Sequence, residues 1–236
     1  MLSSREQNPN GQGPSRADLA RAGFINTTRA QRLLAETVLT PLLEATPVSL
    51  LLADLADSPD PDQATLALVR LCEASPKPQQ LAQNLKRSSH RRRLLALLGA
   101  SSALGDFLIA HPDSVACLDQ EFDAEKVAAT MTSRVKRALE AGSIPDAVHA
   151  LRLSYYQALC TIAAGDLTHP QPLQYMPQVG LQLSQLADAA VTAALPIAYR
   201  KAGASDQLAF CVIAMGKTGA RELNYISDVD VMYVVG

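Results

Sequence analysis

Tryptophan is absent from this sequence of 236 residues, and aromatic residues as a whole make up only 4% of it. Hydrophobic residues nevertheless account for 48%, so the apolar content consists mainly of Ala, Leu and Val. A sandwich of aromatic-rich strands is therefore disfavoured. A chain of this length and composition has enough apolar material for a substantial core of packed helices.

Basic charge, paired cysteines and long apolar runs are missing as well. The formal net charge of -2 provides no basic field for phosphate backbones, which argues against general nucleic-acid binding. The cysteines Cys72, Cys117, Cys160 and Cys211 are far apart and include no CxxC pair, so neither a disulfide framework nor a zinc site is indicated. No run reaches the roughly 18 unbroken apolar residues that cross a bilayer, and the N-terminus lacks the apolar segment of a secretory signal. We therefore expect a cytoplasmic protein with reduced thiols and no membrane partner.

The apolar pattern divides the chain into three regions. Residues 1–16 are polar and rich in Pro, Gly and Asn, and they are predicted to form a disordered leader. Residues 17–205 repeat apolar positions at intervals of three and four, which predicts many amphipathic helices. In residues 206–236 the period changes, and the apolar runs 209–215 and 229–235 predict two buried strands joined by a polar loop. Because two strands alone are only marginally stable, we expect them to open a larger sheet.

Several helix limits are predicted from local chemistry. Asp60, Pro61 and Gln63 supply an N-cap, a favoured first helical residue and a capping-box partner. Residues 94–113 are predicted to form two helices that are separated at Gly99. Further helices are predicted from Asp123 to about Ala141, from Ser143 to Gly165, and from about Pro177 to Ala202.

Two acidic residues at the start of the second predicted strand form the best candidate site. Asp228 and Asp230 are two positions apart, so on a strand both carboxylates project from one face. Magnesium prefers such oxygen ligands, and two ions can stabilise the entering and leaving oxygens of a phosphoryl displacement. Gly216 would let backbone N–H groups approach a triphosphate, and Lys217 would either add a point charge to the phosphates or be solvated. An isolated Asp-x-Asp usually marks only a turn or the start of a strand. The order of strand, Gly-Lys turn, loop, Ser-Asp-x-Asp and strand, however, predicts a magnesium-dependent nucleotidyltransferase.

The segment from Met215 to Val231 reads MGKTGARELNYISDVDV, which resembles the signature "MGKLGGRELNYSSDIDL" of the glutamine synthetase adenylyltransferase family. Residues 94–113 resemble the helical lead-in of that family, and IAAGDL at residues 162–167 resembles its "IAARDL" element. The resemblance covers roughly residues 90–236. Departures from the family pattern stand at Gly165, where Arg is usual, and at Thr218 and Ala220, which replace the commoner Leu and Gly.

The resemblance implies a mainly α N-terminal region that leads into a truncated α/β (α+β) nucleotidyltransferase palm of the DNA polymerase β type. Members of the family join two such halves in one chain. One half adenylylates a tyrosine of glutamine synthetase with ATP, and the other removes the AMP by phosphorolysis and releases ADP. The helical lead-in and the MGK and ELNY motifs resemble those of the first half, which implies the adenylyl-removing activity.

The resemblance also implies roles for individual residues. Asp228 and Asp230 would ligate Mg2+, and Gly216 with Ser227 would line the nucleotide phosphates, beside the Lys217 charge considered above. The implied partners are glutamine synthetase, ATP, ADP, phosphate and a PII-type nitrogen signal protein. A third carboxylate, which is usual on a later strand in this superfamily, is not among the 236 residues. We therefore expect this chain to have no measurable deadenylylating activity by itself.

Two other interpretations of the sequence stay open. A uridylyltransferase of nitrogen-signalling proteins would share the glycine turn and the SDxD motif, although its loop usually begins with GG-x-GR where Met215, Gly216 and Lys217 stand here. A helical interaction module without catalysis would need the Asp pair only as a strand cap. The basic cluster from Lys86 to Arg93 could then contact an acidic partner, although a solvated helix face is the simpler interpretation.

Overall fold

Helices form most of the described part of the chain, and a pair of strands follows them. The computed structural model describes residues 13–204 and 209–236. The chain divides into two compact units, residues 1–115 and 116–236. Residues 1–12 of the predicted leader and 205–208 lie outside the described part, so the predicted domain limits stay predictions. The prediction of a mainly helical chain that ends in strands is confirmed.

Eight α-helices belong to the first unit, and two 3-10 helices accompany them. The α-helices are α1 (Arg16–Arg21), α2 (Thr27–Leu34), α3 (Thr40–Ala45), α4 (Val48–Ala56), α5 (Pro61–Ala74), α6 (Pro78–Leu85), α7 (Ser88–Ala100) and α8 (Ser102–Ala110). The 3-10 helices are Thr37–Leu39 and Pro112–Asp119, and the second of them crosses the division between the units. The core of this unit is rich in leucine, with α5 packed against α7 and α8.

Helix α5 begins where its cap predicts. Asp60 accepts a hydrogen bond from the backbone N–H of Gln63 at 2.9 Å, and Pro61 is the first helical residue. The side chain of Gln63 does not complete the predicted capping box. Its amide instead donates to the carbonyl of Leu98 at 2.8 Å, which joins α5 to α7.

The predicted helix break at Gly99 is wrong. Gly99 lies inside α7, and the chain turns at Ser101, whose hydroxyl caps α8 by accepting from the N–H of Leu104. The reason for a glycine at position 99 is packing, because an added Cβ would lie 3.0 Å from the carbonyl oxygen of Asp60 and 3.2 Å from Cβ of Ser58. Glycine here permits close approach of two backbones.

The basic cluster is not a fully solvated helix face. His90 and Arg91 on α7 are buried, and the guanidinium of Arg91 forms an ion pair with Asp54 at 2.5 Å. Arg91 also donates to the carbonyl of Leu85 at 3.0 Å. Burial of this pair means that losing either partner would leave an uncompensated charge in the core.

The second unit contains three long helices and the strands. Its elements are α9 (Ala124–Glu140), α10 (Ile144–Leu167), α11 (Pro172–Ala202), β1 (Phe210–Ala214), α12 (Gly216–Gly219) and β2 (Val231–Val235). Helices α9, α10 and α11 pack against one another around an apolar core that includes Met131, Ile162 and Leu186. The predicted caps Asp123 and Ser143 are confirmed, since each accepts a backbone N–H three residues later.

Two helix limits in this unit differ from the prediction. Helix α10 continues through Gly165 to Leu167, where the hydroxyl of Thr168 donates to the carbonyl of Ala164 at 2.7 Å. Helix α11 begins at Pro172, so Pro177 lies inside it rather than at its start. A proline removes one backbone hydrogen bond, and a helix of 31 residues whose buried side chains run from Val179 to Ile197 withstands that loss near its exposed start.

The strands are shorter and more exposed than predicted. β1 and β2 pair antiparallel, with Ala214 opposite Val231. The prediction that both are buried is wrong, because Ile213, Met232 and Tyr233 are 43%, 50% and 65% exposed. The connection between the strands is also not a simple polar loop, since it contains the short helix α12.

In the described part of the chain, no single helix is both long and apolar enough to cross a membrane. The adjoining helical segments Thr37–Ala45 and Val48–Ala56 reach that length and composition together, but they are bent by 99°.

Candidate functional site

The candidate site lies at the end of the strand pair where β1 leads into α12. The N–H of Met215 donates to the carbonyl of Asp230 at 2.8 Å, which extends the antiparallel pairing by one step. Gly216 follows with a φ of 52°, a left-handed conformation that side chains disfavour. A Cβ added to Gly216 would lie 2.6 Å from Oδ2 of Asp230. The two residues are therefore in direct contact, and glycine is required at position 216 for two separate reasons.

Both candidate acids precede β2 and are exposed. The prediction that both lie on the strand is wrong, because β2 begins at Val231 and residues 228–230 precede it without regular secondary structure. Asp230 contacts Gly216, and Asp228 is exposed to solvent. Their projection from one common face stays a prediction. Exposed carboxylates two residues apart have the chemistry of a hard-cation site and are accessible to a bound substrate.

Helix α12 carries Lys217 and fits tightly against β1. The N–H of Gly219 donates to the carbonyl of Met215 at 3.0 Å, and a Cβ on Gly219 would lie only 2.6 Å from the carbonyl oxygen of Ala214. Lys217 is exposed, and its backbone carbonyl accepts from the N–H of Glu222 at 2.9 Å. The structure thus brings Gly216, Lys217 and Asp230 to the same turn.

Thr218 is the buried residue of this turn. It is only 2% exposed, and its hydroxyl has no hydrogen-bond partner among residues 13–204 and 209–236. A buried hydroxyl without a partner reduces stability, because it loses its hydrogen bonds to water. The position therefore suits the apolar residue that is commoner in the family.

Ser227 lies one residue before Asp228 and is half-buried. Its hydroxyl donates to the side-chain carbonyl of Asn224. This contact closes a small turn within the segment that leads to the acids. Ser227 is therefore near the acid pair in sequence and is held by a local hydrogen bond.

The segment before the acids is attached to the helices of the same unit by contacts that the sequence analysis did not predict. Arg221 has a φ of 63° and forms an ion pair with Asp188 on α11. Leu223 is 7% exposed and belongs to the apolar core. The hydroxyl of Tyr225 donates to Oδ2 of Asp166 at 2.9 Å. The only sequence indication of this attachment was that the residues REL and NY belong to the segment that resembles the signature sequence.

The described residues provide Asp230 at this turn, Asp228 two positions before it in the chain, and no larger ligand cluster. Nowhere in residues 13–204 and 209–236 do three or more His, Cys, Asp or Glu side chains converge in a geometry that could hold a metal ion. Two carboxylates still match the ligand set of Mg2+, which usually keeps several waters and shares its remaining sites with phosphate oxygens.

Comparison with known protein families gives a match over residues 91–236 to the family described as glutamate-ammonia ligase adenylyltransferase, GlnE. The chain belongs to this family. The matched region contains the whole acid turn and the helices to which it is attached. The resemblance inferred from the signature segment is therefore confirmed over most of the chain.

Similar proteins carry the name bifunctional glutamine synthetase adenylyltransferase/adenylyl-removing enzyme. The chain is 39% identical to that of Mycobacterium avium (strain 104), covering 96% of this chain and 23% of the relative. It is 36% identical to that of Leifsonia xyli subsp. xyli, covering 92% and 22%. It is 33% identical to that of Bifidobacterium longum subsp. infantis, covering 94% and 22%. The chain thus spans less than a quarter of the length of the curated relatives it matches.

Proposed function

We propose that this chain contributes the first part of an adenylyl-removing nucleotidyltransferase that acts on glutamine synthetase. The contact between Gly216 and Asp230 is the observation that carries the proposal, because it builds an open backbone turn directly against a carboxylate. A turn of this kind suits a phosphate group beside a cation-binding acid. Membership of the adenylyltransferase family supports the same chemistry.

In this proposal Asp228 and Asp230 hold Mg2+, which supplies charge neutralisation at the phosphoryl group. Both acids are exposed, and Gly216 leaves no side chain between Asp230 and the turn, so the residues fit such an ion. The backbone at Gly216 together with Lys217 and Ser227 would bind the nucleotide phosphates. Lys217 is exposed beside the turn, where its ammonium group can reach a bound phosphate.

The proposed reaction is phosphorolysis of the tyrosyl-AMP bond of adenylylated glutamine synthetase. An oxygen of inorganic phosphate attacks the phosphorus of the AMP group, and the bond from that phosphorus to the tyrosine oxygen breaks. The products are ADP and the free tyrosine, which recovers a proton. The role of the chain's own residues is to orient the phosphates and to hold charge beside them.

The assignment to the adenylyl-removing half depends on the helical region that precedes the MGK turn. We further propose a palm of the DNA polymerase β type, in which other strands cover the apolar side chains of Ile213, Met232 and Tyr233. These side chains are 43%, 50% and 65% exposed, which fits a sheet that other elements cover. Cytoplasmic location and control by a PII-type signal protein complete the proposal.

The chain alone is proposed to lack measurable deadenylylating activity. It covers less than a quarter of the length of its relatives, and its described residues contain no group of three or more candidate metal-ligating side chains. Release of ADP from adenylylated glutamine synthetase and phosphate by the 236-residue chain would contradict this.

A Mn2+ titration followed by electron paramagnetic resonance tests the proposed metal site. Asp228→Asn together with Asp230→Asn should weaken Mn2+ binding by at least about tenfold, since both ligands lose their charge. A matched control removes two exposed charges elsewhere in the unit, Glu121→Gln with Glu125→Gln, and should leave binding unchanged. Equal Mn2+ affinity in the acid variant and the control would reject the metal site.

A second test uses the full-length parent protein. Asp228→Asn and Asp230→Asn should abolish phosphate-dependent ADP release from adenylylated glutamine synthetase, while ATP-dependent adenylylation should persist. Loss of adenylylation with retained ADP release would instead assign this turn to the other half. A protein that uses UTP, and not these substrates, would favour the uridylyltransferase alternative.

A further inference from the structure

The seven residues from Asn224 to Asp230 contain both proposed metal ligands, yet their side chains have little burial of their own. Ser227 is half-buried, and the other six are exposed, including Ile226 at 98%. A segment of this kind needs attachment at defined points if it is to present two carboxylates in a fixed geometry. The contacts that attach it are therefore candidates for a functional role.

One attachment lies immediately before the segment. Leu223 enters the apolar core, and its N–H donates to the hydroxyl of Ser184 on α11 at 3.2 Å. The Ser184 hydroxyl in turn donates to the carbonyl of Gly180 at 2.9 Å. A Cβ on Gly180 would lie 3.4 Å from Cα of Glu222, so the backbone here is close to the helix. This contact fixes where the segment begins.

A second attachment lies at the far end. The carbonyl of Asp230 accepts from Met215, and β2 begins at the next residue. Between these two ends the segment has one described side-chain hydrogen bond to the helices, from Tyr225 to Asp166 on α10. Although Tyr225 is 44% exposed, its partial burial and the nearby Asp166 carboxylate raise the pKa of Tyr225 well above its ordinary value, so the phenol remains a donor.

We propose that Asp166 is a positioning residue that fixes the acid-bearing segment through Tyr225. The proposal rests on the function proposed above, and it assigns a role to the acid of the IAAGDL element, which that function leaves unused. Tyr225 is three residues before Asp228, so freeing its hydroxyl lets the middle of the segment depart from the helices while both ends stay attached. The carboxylates would then sample more arrangements and bind a cation less well.

Backbone 15N relaxation of the metal-free chain tests the positioning directly, because it reports the mobility of exposed amides. Tyr225→Phe and Asp166→Ala should each lower the order parameters of residues 224–230 from about 0.85, typical of rigid backbone, toward the flexible range below about 0.6. Asp166→Asn keeps an acceptor oxygen and should restore the higher order parameters, and Tyr233→Phe serves as a control for loss of an exposed hydroxyl. Because both partners serve one contact, the double variant should match the single ones.

The same variants should weaken Mn2+ binding about threefold to tenfold, while the midpoint of thermal unfolding falls by no more than about 4 °C, as expected for one hydrogen bond. Unchanged order parameters in residues 224–230 would overturn the proposal, and so would lower order parameters spread evenly over α10 and α11, which indicates general destabilisation. A wrong assignment of the metal site gives a different result: the variant with Asp228→Asn and Asp230→Asn would bind Mn2+ as tightly as the unmodified chain does.

Discussion

The carboxylate of Asp230 occupies the space that a side chain on Gly216 would need. The Oδ2 atom is 2.6 Å from the position of that missing Cβ, and the backbone at Gly216 has a φ of 52°. The two positions are thus dependent on each other through packing as well as through their proposed chemistry.

Gly216→Ala should therefore lower the free energy of unfolding by more than the strain of a left-handed backbone alone. The variant must strain φ, at about 1–2 kcal/mol, and must also displace the Asp230 carboxylate. Gly142→Ala is the matched control, because Gly142 has a φ of 86° and nothing within 4 Å of an added Cβ. Mn2+ titration should show weaker binding for Gly216→Ala only, while urea unfolding should show a loss for both. Equal Mn2+ affinity in the two variants would contradict the steric link.

Thr218→Val should raise the free energy of unfolding by about 1 kcal/mol, because it removes a buried hydroxyl that has no described partner. Thr161→Val is the control within the same unit. The Thr161 hydroxyl donates to the carbonyl of Cys117 at 3.1 Å, so its loss should lower stability by a similar amount. Urea denaturation followed by circular dichroism measures both. A stability loss in Thr218→Val would mean that its hydroxyl is hydrogen-bonded in solution.

Two glycines inside helices should respond to alanine with opposite signs. Gly165→Ala should stabilise the protein by about 0.5–1 kcal/mol, since the nearest atom to the new Cβ is the Tyr175 hydroxyl at 3.9 Å. Gly99→Ala should destabilise it by about 1–3 kcal/mol, since the Cβ meets the backbone of Asp60 at 3.0 Å. Thermal unfolding by calorimetry compares the two. A gain for Gly99→Ala would show that the α5 and α7 backbones can separate freely.

Buried thiols should make the protein less stable at alkaline pH. Burial raises the pKa of Cys117 to about 11 and that of Cys72 to about 12. Unfolded thiols lose their protons near pH 8.5, whereas the folded ones keep them, so the free energy of unfolding should fall from about pH 9 upward. The free energy of unfolding should fall by at most about 1.4 kcal/mol per pH unit for each thiol.

Cys117→Ala should reduce that slope between pH 9 and pH 11, and Cys211→Ser, which changes an exposed thiol, should leave it unaltered. Urea denaturation at several pH values provides the measurement. Identical slopes in the Cys117 variant and the unmodified chain would show that its thiol is not protonated preferentially in the folded state.

Local chemistry predicted the helix starts well, because a cap involves residues three positions apart. Asp60, Asp123 and Ser143 each accept the expected N–H. The sequence also indicated that Gly216 and Asp230 belong to adjoining strand ends, and the structure brings them into contact, while the metal role of the acid pair stays a prediction. These features need no knowledge of distant residues.

Features that depend on distant neighbours were not predictable. Gly99 and Gly165 look alike in sequence, and only the backbone of Asp60 explains why one is packed closely. Tyr225 and Asp166 are 59 residues apart and have no shared periodicity, so their hydrogen bond gives no sequence signal. The strands seemed buried because their composition is apolar, but burial depends on the elements that cover them.

The uncovered strand pair also bears on how the isolated chain behaves in solution. VMYVV at Val231–Val235 is β-branched, uncharged and free of proline, with Tyr233 and Val235 more than 60% exposed. An open strand edge of this composition is a template for pairing with another molecule. Self-association through β2 is thus the competing process whenever the chain is studied at high concentration, and ligand titrations are best performed in dilute solution.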